Sequence, residues 1–414
     1  MKLLFTFLFS ALIFTYAFSQ TSVDVVTGPG YANDVYYSFT GDTLKTAPRS
    51  NWDIAFITSQ MSVSALANNG AGVMVYTWPG GTIEDWETVD TTGIVWTPMY
   101  NSIEDWEEGA FNAHATEHPD YGWGIYNMAN HNIYGDSIFI VKCPVGNSMV
   151  VKKFAIVLKN ASQNVWTFKY ADLNGENEKT VTLEGNNYNN VSYIHYSLVN
   201  DSIVEQEPAE DWQLLFTKYY DYNIPYYVTG VLANSGVQIQ QVNGVSQADF
   251  VDYNSGVFND TISEIGSDWK HYDFTAGYVV TDDVVYFVQF KEANDTENQI
   301  WKIYFTGFSG SSTGTYSFVK QDMLSTGIKD NVSGKSLIAY PNPAKGELNI
   351  IHDFDGAVEI TVYNISGQLV LKQEATEDAG LNKQTLNIST LPSGIYNAKL
   401  SSGNVSKSVK FIKE

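Results

Sequence analysis

The side chains best suited to chemistry in this sequence are three histidines and a methionine set close together: His114, His118, His131 and Met128. Imidazole nitrogens and thioether sulfurs are the usual protein ligands of a haem iron, which also needs an apolar, aromatic pocket around the ring. His114 and His118 stand at i, i+4, so a single helical turn would carry both on one face. The competing expectation is a solvated loop, because Asn and Asp residues surround them and isolated histidines are seldom ligands.

Three other constellations invite chemistry. Gly135-Asp136-Ser137-Ile138 resembles the nucleophile motif of GDSL-type esterases, and Asp268-Trp269-Lys270-His271 has the spacing of that family's remaining triad members. Ser137 would attack, His271 would take its proton and Asp268 would orient the ring. Such a serine must end a parallel strand and open a helix, whereas Ser137 begins an apolar β run, so no catalysis is expected. Asp172-Leu173-Asn174-Gly175-Glu176-Asn177-Glu178 spaces oxygen donors about a glycine but lacks the full spacing of a calcium loop, and an Asn-Gly turn explains it. Aromatic clusters are the third: Tyr219, Tyr220, Tyr222, Tyr226 and Tyr227, and the scattered Trp86, Trp96, Trp106 and Trp123. Exposed rings of this kind stack on sugars; buried ones fill a large β core. With 46 acidic residues, no carboxylate pair stands out as a glycosidase couple.

Charge narrows the partners. The formal net charge is −23, of which residues 337–414, with 7 Lys and 8 acidic groups, carry −1 and the preceding chain −22. So acidic a body repels phosphate backbones and anionic lipid, which excludes nucleic acid as a partner. Arg49 is the only arginine, leaving almost no means of gripping phosphate or carboxylate bidentately. Cys143 is the only cysteine, so no internal disulfide forms, and its place after Phe139-Ile140-Val141-Lys142 predicts a buried thiol.

The elements that must position these groups are strands. Residues 1–19 read as a signal peptide, with Lys2 ahead of an apolar run and small residues Ala17 and Ser19 before Gln20. No later stretch is apolar enough for a transmembrane helix. Over residues 20–325 short apolar alternations punctuated by Gly and Asn predict β structure, with strands at about 52–58, 72–77, 137–142, 154–158, 165–170, 213–218, 284–290 and 301–305. Helical periodicity is nearly absent; 103–115 offers at most a short turn.

An internal duplication is visible. Trp52-Asp53-Ile54-Ala55-Phe56 has a counterpart in Trp212-Gln213-Leu214-Leu215-Phe216, and each precedes a glycine-containing strand, at 71–76 and 229–234. Ser137-Ile138-Phe139-Ile140-Val141 leading to Lys153-Phe154-Ala155-Ile156 resembles Val284-Val285-Tyr286-Phe287-Val288 leading to Trp301-Lys302-Ile303-Tyr304-Phe305. The expected division is into halves of about 20–200 and 201–325 of one domain, since either alone would leave an apolar sheet face bare. These paired Trp-led strands resemble the HmuY family, secreted all-β haem-binding proteins of the Bacteroidetes. The resemblance implies a haem or similar apolar ligand, with His or Met as ligands. An insertion at about 82–134 repeats Ile83-Glu84-Asp85-Trp86-Glu87 as Ile103-Glu104-Asp105-Trp106-Glu107.

After a polar link at 326–336, residues 337–414 form a module of their own. Leu337-Ile338-Ala339-Tyr340-Pro341-Asn342-Pro343 opens it, and Val362-Tyr363-Asn364-Ile365-Ser366-Gly367 and Leu391-Pro392-Ser393-Gly394-Ile395-Tyr396 mark hairpins. Val358, Ile360 and Val362 alternate with Glu359 and Thr361, predicting one dry face and one wet. This tail resembles the type A C-terminal sorting domain of cargo exported by the type IX secretion system of the Bacteroidetes, which implies export through the periplasm to the cell surface or the medium, with the secretion machinery as partner. The expectation for the whole chain is thus an all-β, exported, non-catalytic binding protein: a large antiparallel β domain followed by a small β-sandwich. Its ligand is read as haem held by His114, His118, His131 or Met128, or alternatively a surface glycan.

Overall fold

The computed structural model describes residues 20–292, 297–324, 337–365, 367–378, 380–402 and 405–414; the leader at 1–19 and the whole link at 326–336 lie outside them. Strands dominate, as the alternation predicts, and the helical segments of the described residues are short 3-10 turns. The chain divides into two compact units, Met1–Leu324 and Ser325–Glu414.

The first unit holds two sandwiches of the same pairing order. In one, a four-stranded sheet runs Ser202–Val204, Tyr193–Ser197, Ile54–Ile57, Ala65–Ala67. It faces a sheet whose main run is Met74–Thr77, Phe139–Val145, Ser148–Asn160, Val165–Asp172, Lys179–Glu184. In the other, the four-stranded sheet runs Asp42–Pro48, Asn33–Ser38, Leu214–Asp221, Tyr226–Ala233. Its partner sheet runs Gln238–Asn243, Val284–Phe290, Gln299–Phe308, Thr315–Asp322, Gln20–Val26. Each sandwich has its own core, Phe56, Phe154, Trp166 and Phe168 in the first, Tyr37, Phe216, Phe305 and Phe318 in the second. Burying each such ring contributes roughly 1.5–3 kcal/mol.

Strand for strand, Ile54–Ile57 answers to Leu214–Asp221, Phe139–Val145 to Val284–Phe290, and Ser148–Asn160 to Gln299–Phe308. The duplication visible around Trp52 and Trp212 is therefore one of topology. Two details differ from the sequence expectation. The counterpart of Tyr226–Ala233 is Ala65–Ala67, while Met74–Thr77 answers to Gln238–Asn243. The division at residue 200 also shifts: Gln20–Val26, Asn33–Ser38 and Asp42–Pro48 belong to the second sandwich. The reason is a count of strands. Residues 214–322 supply only two strands to the four-stranded sheet, so Leu214, Leu215 and Phe216 would face an unpaired edge without Tyr37, Tyr36 and Val35 opposite them.

The insertion wraps the first sandwich. Trp86, in the 3-10 turn Ile83–Thr88, is buried between the Lys153 and Lys169 ammonium groups, 4.6 and 4.3 Å from its ring, and its Nε1–H donates to Glu178. Trp123 is fully buried. Both serve the core.

In the second unit, a three-stranded sheet (Leu337–Tyr340, Glu347–His352, Asn382–Asn387) and a four-stranded sheet (Leu369–Glu377, Gly356–Asn364, Gly394–Ser402, Val405–Lys413) enclose Leu348, Ile350, Val358, Ile360, Val362 and Phe411. Val358, Ile360 and Val362 face inward as predicted. Glu359 faces outward to Lys372, but Thr361 is covered and donates to the Lys399 carbonyl. Pro341 and Pro343 follow directly on an edge strand, where no ladder N–H is missed.

Candidate functional site

Strand alternation gives each four-stranded sheet two faces. Ile54, Phe56, Val35, Tyr37, Leu214 and Phe216 point into their own cores, leaving Ile57, Tyr193, His195, Tyr36, Leu215 and Thr217 on the opposite faces. Between those opposite faces lies a cavity of about 700 Å3.

Its walls are built in equivalent pairs. Trp52 meets the His195 ring edge-on at 4.6 Å, and Trp212 meets Tyr36 at 5.1 Å. Asn68 Nδ2 donates to the Trp52 carbonyl at 2.8 Å, and Asn234 Nδ2 to the Trp212 carbonyl at 2.8 Å. The insertion supplies a third wall. Trp106 Nε1–H donates to Ala233 in the second sandwich at 2.8 Å, while its carbonyl accepts from Ser64 at 2.7 Å and from the Tyr193 hydroxyl, both in the first. Trp106 thus fastens the two sandwiches together beside the cavity, and Asn101, Asp105 and Glu107 reach the lining from the same segment.

Charge at the site is mostly negative. Asp105, Glu107, Glu207, Glu210 and Asp211 line it, and Lys218 is the lone cation among the described lining residues. Asp34 is neutralised: its Oδ1 accepts from Arg49 Nε at 2.8 Å and Thr217 Oγ1 at 2.6 Å, its Oδ2 from Gln206 at 3.2 Å. Arg49 also donates to the Tyr31 and Asn33 carbonyls, at 2.5 and 2.8 Å, so the one arginine is spent on architecture. Burial pushes the Glu207 carboxyl up to about 7, against the N–H of Ser192, which donates to it at 2.8 Å. Burial likewise pushes the His195 imidazole down to about 3, so the ring is neutral at ordinary pH. Aromatic walls and an acidic rim that accepts hydrogen bonds suit a neutral, hydroxyl-rich ligand.

The four residues singled out as ligands are elsewhere. His114 lies in an exposed turn with Nδ1 3.2 Å from Thr77 Oγ1. His118 and His131 flank Tyr126, with ring centroids at 5.1 and 6.0 Å, and the Tyr126 hydroxyl lies 2.5 Å from His131 Nδ1. Met128 is 79% exposed beside them. The helical turn expected to align His114 with His118 does not form: Ala110–Asn112 ends the local 3-10 segment before either. The structure therefore gathers His118 and His131 on an exposed loop, sets His114 apart, and puts none of the four in the cavity.

The other constellations resolve simply. Ser137 Oγ donates to Asp136 at 2.8 Å and sits in the first sandwich, whereas Asp268 and His271 are exposed residues of the second. Asp172–Glu178 is a turn, Gly175 N–H donating to Asp172 O at 2.9 Å, and the Asp172 carboxylate is taken by Lys152 at 2.6 Å. Of the tyrosines, Tyr219 is buried on the cavity wall and Tyr220 stacks on Tyr100 at 3.6 Å, while Tyr222 and Tyr226 are exposed. Cys143 is fully buried, as expected, and burial beside Asp53 raises its thiol out of the reactive range. Among the described residues no cluster of three or more His, Cys, Asp or Glu could hold a metal. No helix there is long and apolar enough to cross a membrane.

Sequence reasoning missed Trp52, His195, Glu207 and Trp212. The duplication was the available signal, since Trp52 and Trp212 lead the repeated strands.

Comparison with known proteins settles the tail. Residues 338–414 match the family described as the secretion system C-terminal sorting domain. The tail is a type IX sorting domain. The protein is accordingly one exported to the outer cell surface or the medium, and the sorting domain is its point of engagement with the secretion machinery. No curated protein matches the chain. Among solved structures, a crystal structure of dimeric latent PorU from Porphyromonas gingivalis aligns at 9% identity over 84% of this chain and 31% of its own, with a TM-score of 0.17. The chain thus spans about a third of the length of that protein.

Proposed function

We propose that the body ahead of the sorting domain is a non-catalytic binding module, resembling the HmuY family in its Trp-led strands, that holds a neutral, hydroxyl-rich ligand such as a glycan segment between its two four-stranded sheets. The carrying observation is the 700 Å3 cavity, walled by Trp52, Trp106, Trp212 and Tyr193 and rimmed by Asp105, Glu107, Glu210 and Asp211, with Asn68 and Asn234 bracing the Trp52 and Trp212 carbonyls. The excess of carboxylates over Lys218 favours a neutral ligand over haem, whose propionates would meet like charge. A neutral His195 packed under Trp52 and a Glu207 occupied by Ser192 N–H support binding without turnover.

The test is titration of the mature chain with neutral oligosaccharides, followed by tryptophan fluorescence. Saturable quenching that is lost in Asn234→Ala and Glu107→Gln is the expected result. A flat titration, with a Soret shift on haem addition that disappears in a His118→Ala, His131→Ala variant, would overturn the glycan reading in favour of haem.

A further inference from the structure

Away from the cavity, the strands Lys270–Asp273 and Gly277–Val280 pair as a two-stranded hairpin carrying an open aromatic surface. Phe274 at the tip is 97% exposed and Tyr272 57%. Tyr272 meets Phe274 edge-on at 5.8 Å and Tyr278 at 5.2 Å. Tyr278 meets Phe308 at 4.8 Å, and Phe308 lies parallel to Tyr31, 2° apart in plane with centroids at 6.0 Å. The row of rings runs from the hairpin tip onto the sandwich.

Two features mark it as built for contact. Phe274 and Tyr272, so exposed, do nothing for the core, and a contiguous apolar patch on an exported protein carries an aggregation cost. In addition, Tyr31 adopts φ 60°, a left-handed conformation unfavourable for a bulky side chain, and Arg49 Nη1 holds it there through the Tyr31 carbonyl. We propose that this patch, with Phe274 and Tyr272 as its exposed rings and Tyr278 and Tyr31 behind them, is a second ligand site that binds a neutral polysaccharide chain against the free ring faces of Phe274 and Tyr272.

Charge rules against an anionic occupant. Asp268, Asp273 and Asp282 surround the hairpin as exposed carboxyls, and backbone N–H groups of Ala276 and Thr275 hold Asp273 below the usual carboxylate range. The nearby lysine is withdrawn: Lys270 Nζ is buried, donates to Thr229 O at 2.7 Å and lies 4.2 Å from the Trp269 ring. A lipid surface rich in anionic headgroups calls for clustered cations, and this face offers acids in their place. Tyrosine hydroxyls beside apolar ring faces match the alternating C–H and O–H surface of a neutral sugar.

The experiment is co-sedimentation of the mature chain with cellulose, chitin and starch granules, and in parallel with vesicles of phosphatidylethanolamine and phosphatidylglycerol. Retention on at least one polysaccharide is expected. It should fall about tenfold in a Tyr272→Ala, Phe274→Ala variant and be kept by Phe274→Trp. Near-UV circular dichroism unchanged in these variants shows that the fold is intact. Failure to sediment with all three polysaccharides, retention indifferent to the double substitution, or preferential sedimentation with vesicles would each overturn the proposal. The site stands apart from the cavity, so oligosaccharide quenching at the cavity is expected to survive the hairpin substitutions.

Discussion

Trp212 lies edge-on against Tyr36 at 5.1 Å, and three residues after Trp212, Leu215 is the register partner of that same Tyr36. Trp52 and His195 repeat the arrangement: the rings meet at 4.6 Å, and Ala55, three residues after Trp52, is the register partner of His195. Even the supports recur, for Asp53 accepts the N–H of Val199 at 3.2 Å and Gln213 that of Phe39 at 3.1 Å. The two sandwiches thus present the same corner to the cavity from opposite sides.

Equivalent corners should have equivalent costs. Trp52→Ala and Trp212→Ala are each expected to destabilise the body by about 3–5 kcal/mol, the range for deleting a buried aromatic ring. Urea unfolding of each variant measures this. A cost confined to one of the two would show that the corners only look alike.

Arg49 and Asp34 form an ion pair buried on both sides. Arg49→Ala leaves the Asp34 carboxylate with only Thr217 and Gln206 and is expected to cost about 3–5 kcal/mol. Arg49→Lys should recover little, since one ammonium cannot reach Asp34, Tyr31 O and Asn33 O in the fork geometry of a guanidinium. The same unfolding measurement checks both variants.

The cavity makes stability depend on pH through two opposed groups. Glu207 has its carboxyl raised from 4.5 to about 7, so the folded state holds the extra proton and the contribution is full below pH 4.5 and lost as pH rises through 7. His195 is lowered from 6.5 to about 3, so its contribution is full above pH 6.5 and lost as pH falls toward 3. Glu207→Gln removes the first and leaves the second. Between pH 5 and 8 the urea midpoint of the variant should rise relative to that of the natural chain; parallel profiles would show that Glu207 does not titrate in this window.

Two deletions separate folding from address. Removing residues 20–48 takes three strands from the second sandwich and should leave it open to limited proteolysis. Removing 325–414 takes a unit with its own core and should leave the body folded but held in the periplasm. Surface delivery of the second truncation would contradict the sorting role of the tail.

The sequence alone determined what local pattern encodes. Period-two alternation with aromatic and β-branched residues specifies strands wherever it occurs, so the all-β class and the strands around Phe56, Phe154, Phe216 and Phe287 were legible. So was the tail, whose hairpin signals and motifs lie close together in the chain. The repeat of Trp52 in Trp212 showed that something was duplicated.

Only the tertiary structure decided how the copies close and what they enclose. Pairing of Asn33–Ser38 with Leu214–Asp221 joins residues about 180 positions apart, and nothing in either strand names its partner, because ladder bonds come from the backbone and are the same for every strand. The site depends on that closure. Tyr36, Trp52, His195, Glu207 and Trp212 reach one cavity only because two sheets, each already half-buried in its own sandwich, turn their remaining faces toward each other. His114, His118, His131 and Met128 are near in sequence yet exposed, since the loop that carries them has no sheet face to bury. Proximity along the chain was legible; proximity across two sandwiches was a product of packing.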